Sequence, residues 1–110
     1  MMKRFLPSLL LLTGLSMAAH AFTGSAIENA RQQELIYLLK QDCGSCHGLT
    51  LKGGLGPALL PHNLAGKSVD FLTLTILDGR PGTAMPPWRP LLKPQEARWL
   101  AQILISGEAL

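Results

Sequence analysis

Apolar and polar positions alternate along this chain in three stretches with helical spacing, separated by two stretches that have none. From Ser25 to about Gln41, Leu35, Leu38 and Leu39 form an i, i+3, i+4 face, and Ser25 and Glu28 have the spacing of a capping box. From Val69 to Asp78, Val69, Leu72 and Ile76 repeat with helical period, Ser68 stands at the N-cap position and Gly79 at an αL stop. This second stretch is ambiguous, because Leu72-Thr73-Leu74-Thr75-Ile76 also alternates as a strand does; the cap and stop residues favour the helix. From Pro94 to about Ile105, Ala97, Leu100, Ala101 and Leu104 share a face. Pro94 suits the first helical position, Glu96 complements the positive end of the helix dipole, and Lys93 is a poor cap.

The intervening segments, Gly48 to Gly66 and Gly79 to Pro94, hold most of the glycine and proline: Gly53-Gly54, Gly56-Pro57, Pro61, Pro81-Gly82, Pro86-Pro87 and Pro90. Connections of that length need a reason to stay ordered in a small domain, and wrapping around a bound group is one. The pattern thus predicts an all-α domain with no internal repeat.

The start of the chain does not belong to that pattern. Lys3 and Arg4 precede a leucine-rich apolar run from Phe5 to Ala19, which ends in Ala19-His20-Ala21, a small-x-small cleavage site. The run is shorter than the roughly 20 residues that span a bilayer, and Pro7 and Gly14 interrupt it. Residues 1–21 read as a signal peptide and residues 22–110 as the mature domain, exported to the periplasm. A retained N-terminal anchor is the alternative. Without Lys3 and Arg4 the formal charge falls from +3 to +1. A nearly neutral domain gives no electrostatic case for nucleic-acid binding, and none of its later segments is a membrane span. A domain this small often needs a disulfide, metal or cofactor to hold it together.

Both cysteines fall in one motif, Cys43-Gly44-Ser45-Cys46-His47, which is the c-type haem attachment signature. Two thiols three residues apart on a helix end can each add to one vinyl group of the same porphyrin. The adjoining histidine then lies beneath the iron. A thioredoxin-like centre would need a βαβ context, and a zinc site would need a second ligand pair; neither is present in the sequence. One haem c is therefore the expected cofactor, with His47 as proximal ligand. The sixth ligand falls to Met85 or His62. Met85 is the only methionine after the leader and sits in Gly82-Thr83-Ala84-Met85-Pro86-Pro87, where prolines fix the backbone. His62 reads as an exposed loop histidine.

In this order, helix, Cys43 to His47, Gly56-Pro57, helix, Met85-Pro86-Pro87 and helix, the chain resembles a class I cytochrome c over essentially all of its mature length. The resemblance implies a cytochrome c-like fold in which the first and last helices cross near a haem crevice. It also implies that the Pro57 carbonyl accepts a hydrogen bond from the His47 ring. Two segments, Leu51-Lys52-Gly53-Gly54-Leu55-Gly56-Pro57 and Asp78-Gly79-Arg80-Pro81-Gly82-Thr83-Ala84-Met85-Pro86-Pro87-Trp88, are similar to the small cytochromes c-55X (NirC type). The second is also similar to the haem c domains of haem d dehydrogenases. That narrower likeness implies electron exchange with cytochrome cd nitrite reductase, or with the dehydrogenase of haem d biosynthesis, in denitrification.

With His47 and Met85 both on iron no position is open to substrate, which favours electron transfer over catalysis. The acidic residues Glu28, Glu34, Asp42, Asp70, Asp78, Glu96 and Glu108 are scattered, so the sequence is not read as an enzyme. A haem-based sensor or ligand-binding module is the alternative. Lys52, Arg80, Arg89 and Lys93 lie in or beside the loops expected to frame the haem edge. Trp88 could reach a haem propionate or pack on the ring, and Trp99 is expected in the core against the first helix.

Overall fold

The computed structural model describes residues 26–108; the leader, its cleavage site and Ser25 lie outside the described residues. Helix α1 (Asn29–Leu38) passes directly into a five-residue π turn (Leu39–Cys43) and then into the short α2 (Gly44–His47). After a long loop carrying one 3-10 turn (Pro61–Asn63) come α3 (Val69–Asp78) and α4 (Pro94–Ser106). No strand occurs among the described residues. No helix among them is long and apolar enough to cross a membrane.

Helix α1 starts later than its pattern suggests. A capping box with Ser25 as N-cap would require Glu28 to be helical. Glu28 instead has φ −58° and ψ 146° and is itself the N-cap, without a side-chain bond. Gln32 closes the entrance, its backbone N–H donating to the Glu28 carbonyl at 2.9 Å and its side chain to the Ile27 carbonyl at 2.8 Å. The helical run also continues past Gln41 to His47, with the π turn inside it.

Helix α3 has the bounds its cap and stop residues predict. The Ser68 hydroxyl accepts the Phe71 N–H at 3.0 Å. The β-branched residues that made a strand conceivable are absorbed by the helix: the Thr73 and Thr75 hydroxyls donate to the carbonyls of Val69 and Phe71 at 2.7 and 2.8 Å. Gly79 is not an αL stop, however. Its φ is 67° but its ψ is −167°, so the chain leaves the helix extended and brings the Met85–Pro87 backbone against Gly79. Helix α4 runs one residue beyond Ile105 and stops where Gly107 takes the αL conformation. Its first turn is held by Glu96, whose carboxylate accepts the Lys93 N–H at 2.8 Å.

The core is mostly leucine: Leu35 and Leu39 from the first helical run, Leu51 and Leu64 from the loop, Leu72 from α3, Leu92, and Leu100 and Leu104 from α4. The four positions assigned to the α4 face are all buried, whereas Leu38 is only half-buried. Leu51 reaches the core through a left-handed backbone, φ 59°, a conformation that costs a non-glycine residue about 1 kcal/mol. Burial of its side chain contributes about 2 kcal/mol in return. The first and last helices touch only lightly, and the extensive packing is between α3 and α4.

Candidate cofactor site

The attachment motif is built on the end of the first helical run. Cys43 closes the π turn; Cys46 and His47 lie on α2. Both thiols are free, Cys43 partly buried and Cys46 exposed. Burial, and then the neighbouring Asp42 charge, push the Cys43 thiol up to about 11. A thiol-disulfide enzyme needs the opposite, a nucleophilic cysteine whose thiolate is stabilised. No cluster of three or more His, Cys, Asp or Glu suited to a metal ion exists among the described residues, so a zinc site lacks its ligands there.

The loop after the motif folds straight back onto it. The Cys46 carbonyl accepts the Gly56 N–H at 2.8 Å and the His47 carbonyl accepts the Gly53 N–H at 2.8 Å. These bonds satisfy helix-end carbonyls that would otherwise need water. They also bring Gly56 against the imidazole, so closely that a Cβ there would lie 2.8 Å from His47 Cε1. That approach puts the Pro57 carbonyl 2.7 Å from His47 Nδ1, the contact implied for this pair. A carbonyl can only accept, so Nδ1 carries the proton and Nε2 carries the lone pair.

Met85 is held by a separate set of bonds. Its carbonyl accepts the Arg80 N–H at 3.2 Å and its N–H donates to Thr83 Oγ1 at 3.3 Å. The Thr83 hydroxyl in turn donates to the Arg80 carbonyl at 2.7 Å. The loop is stitched to the end of α3 by Trp88 N–H to Ile76 O and Arg89 N–H to Leu77 O, both 3.1 Å, and by the Arg89–Asp78 ion pair at 2.6 Å. Met85 and Trp88 are half-buried, whereas His62 is exposed on its 3-10 turn. Trp99 is not a core residue: it is half-buried, packs against the edge of the core and lines a groove of about 440 Å³ with Ile36 of α1 and Ile103 of α4.

These residues fit a haem. The thiols stand three residues apart on adjoining turns. The imidazole lone pair is fixed on the nitrogen away from Pro57, and Gly56 leaves room for the ring. The loop backing that ring displays an apolar side chain, Leu55, at 93% exposure. A cleft of about 740 Å³ lies elsewhere, between the starts of α1 and α4, and is lined by Glu28, Arg31, Arg89, Lys93 and Glu96. Inside it is a pair the sequence did not disclose: Arg31 grips Glu96 with two hydrogen bonds, of 2.7 and 3.3 Å. The partners are 65 residues apart, and no local pattern links them.

Residues 29–103 match the family model described as cytochrome C oxidase, cbb3-type, subunit III. The chain is 57% identical over 79 residues to the cytochrome c55X of Paracoccus denitrificans, covering 72% of this chain and 77% of that protein. The chain belongs to the small c-type cytochromes of the c55X type. The solved structure of the c-type cytochrome NirC superposes with a TM-score of 0.73 at 56% identity, covering 74% of this chain and 96% of NirC. The dihydro-heme d1 dehydrogenase NirN in complex with DHE gives 0.59 at 36% identity, covering 63% of this chain and 15% of that protein. The all-α fold is thus that of a small c-type cytochrome, and haem is the cofactor of the c55X cytochromes' family.

Proposed function

We propose that the chain is a periplasmic single-electron carrier that holds one haem c by thioethers at Cys43 and Cys46, with His47 and Met85 on the two axial positions. The observation that carries the reading is the 2.7 Å bond between His47 Nδ1 and the Pro57 carbonyl at the end of a Cys-x-x-Cys-His helix. It fixes both the tautomer and the orientation an axial imidazole requires.

The haem supplies a one-electron iron couple. Cys43 and Cys46 would hold the haem through thioether bonds to its two vinyl groups. The two links make cofactor retention intramolecular and so remove most of its entropic cost. His47 would hold the iron through Nε2 and Met85 through its thioether, a ligand that favours a higher potential than a second imidazole. Trp88, half-buried beside the Met85 loop, is the residue nearest in sequence able to donate an N–H to a propionate. Filling both axial positions leaves no seat for a substrate, in keeping with a carrier rather than an enzyme.

The partners we propose are a cytochrome cd nitrite reductase and the dehydrogenase of haem d biosynthesis. The second is supported by the similarity to part of NirN, whose named activity releases electrons that a carrier of this kind can accept. Of the loop cations, Arg89 is committed to Asp78. Lys52, Arg80 and Lys93 are exposed and are the candidates for contact with an acidic partner face.

The test is spectroscopic. Wild-type protein isolated from the periplasm should give a haem c pyridine haemochrome and show a sulfur-to-iron absorption band when oxidised. Its ferrous form should not bind carbon monoxide at neutral pH. Met85→Ala should abolish the band and admit carbon monoxide, while His62→Ala should change neither. Ready carbon monoxide binding by the wild type would replace the carrier with a haem-based sensor.

A further inference from the structure

Helix α3 does not end as a glycine-stopped helix ordinarily does. In a left-handed stop, the residues just after the helix turn back and give their N–H groups to its last carbonyls. Here Gly79 takes φ 67° and ψ −167°, a combination open to almost no residue but glycine, and the chain runs on. The carbonyls of Ile76 and Leu77 are met instead by the N–H groups of Trp88 and Arg89, from the far side of the following loop. The segment from Arg80 to Pro87 therefore leaves from the end of α3 and comes back to it.

What it brings back is Met85. Gly79 is buried, and a Cβ on it would lie 2.7 Å from the Met85 carbonyl oxygen, from the Pro86 carbonyl carbon and from the Pro87 nitrogen alike. All three are backbone atoms, which cannot swing aside as the end of a flexible side chain can. Two stretches of backbone press together this closely only where no N–H is trapped between them without an acceptor. Pro86 and Pro87 have no N–H to trap. Met85 has both of its backbone groups engaged: its carbonyl accepts the Arg80 N–H at 3.2 Å, and its N–H donates to Thr83 Oγ1 at 3.3 Å. The Thr83 hydroxyl is itself fixed, donating to the Arg80 carbonyl at 2.7 Å. The main chain of Met85 is thus held by contacts that do not use its own side chain.

We infer that the end of α3 is the seat that sets the Met85 thioether against the iron, with Gly79 as a positioning residue whose missing side chain lets the ligand's backbone lie on the helix. The inference rests on the Met85 ligation proposed above. A ligand carried on an unanchored loop would bind at the cost of ordering that loop; one already seated on a helix end does not meet that cost at the iron.

The experiment follows the sulfur-to-iron band of the oxidised holoprotein while imidazole is added to displace Met85. Gly79→Ala should lack the band, or lose it at an imidazole concentration roughly tenfold below that of the wild type, the size expected of an overpacked contact. Gly82→Ala is the control. Gly82 lies in the same loop and also has a positive φ, 78°, but a Cβ there meets nothing within 4 Å. It should keep the wild-type midpoint. If Gly79→Ala does not fold, Thr83→Val tests the same seat by removing the acceptor of the Met85 N–H. It should lower the midpoint by roughly fivefold, and Thr83→Ser, which keeps the hydroxyl, should restore it. A wild-type midpoint in Gly79→Ala or in Thr83→Val would overturn the inference. So would a shift in Gly82→Ala as large as that in Gly79→Ala, since backbone strain and not the contact would then be moving the ligand. A wild type without the band would instead refute the Met85 ligation itself.

Discussion

At the residue scale, the imidazole is held by what one neighbour lacks. Gly56 needs no unusual φ; it is required because the His47 ring occupies the space a side chain would use, with Nδ1 2.9 Å from the position of a Cβ. Gly56→Ala must therefore displace either the ring or the loop that carries Pro57. Such overpacking costs about 1–3 kcal/mol. The expected outcome is a lower thermal midpoint together with partial loss of the low-spin spectrum. Ala58→Gly, one residue beyond Pro57, should not reproduce the spectral change. An unaltered spectrum in Gly56→Ala would show that the ring is not positioned by this contact. The spacing of Cys43, Cys46 and His47, and the haem family it suggests, are legible in the sequence, because that spacing is local. The role of Gly56 is not, because it depends on a loop returning nine residues later to touch a side chain.

Among the elements, α3 shows why some boundaries can be read and others cannot. Its start depends on one side chain and one backbone N–H three residues on, and both are in the local sequence. Ser68→Ala removes that bond and should cost about 1 kcal/mol, measured as a loss of thermal stability with the haem spectrum unchanged. Ser68→Asp should retain the stability, since it caps equally well and suits the helix dipole. The beginning of α1 departs from its pattern for the complementary reason. Ser25 and Glu28 have capping-box spacing, but spacing alone does not make Glu28 helical, and Gln32 takes over the entrance. The π turn had left a trace in the sequence: extending the Leu35 and Leu39 face by α periodicity runs into Asp42, a poor core residue. Gly79 defeats a local reading differently. A glycine after a helix is expected to turn left-handed, but here it must accept the returning Met85–Pro87 backbone, so its ψ is set by a segment six residues away.

At the scale of the whole molecule, α3 and α4 pack extensively, while α1 touches α4 lightly. The first helical run, which carries the cysteines and His47, thus depends on Leu35 and Leu39 and on the Arg31–Glu96 pair to stay registered with the rest. Glu96 is 5% exposed. Hydrogen bonding from Arg31 is the main cause holding its carboxyl below the ordinary range; burial opposes the shift, and the Lys93 N–H assists it. A carboxyl whose folded pKa lies below its unfolded value adds stability above the unfolded pKa, roughly 4.3, and loses it as pH falls through the folded one. Breaking a wholly buried pair costs about 3–5 kcal/mol. The Arg31 side chain is 37% exposed and also bonds Glu34, so about 2 kcal/mol is the better expectation for Glu96→Gln at pH 7. In a domain of this size that lowers the thermal midpoint by about 10 °C. The gap between wild type and variant should then close as pH falls below about 4, because protonation takes from the wild type what the substitution has already removed. Thermal melts of the two holoproteins from pH 7 to pH 3 measure this directly. Curves that stay parallel throughout would mean that Glu96 does not fasten the helical run that carries Cys43, Cys46 and His47 to α4.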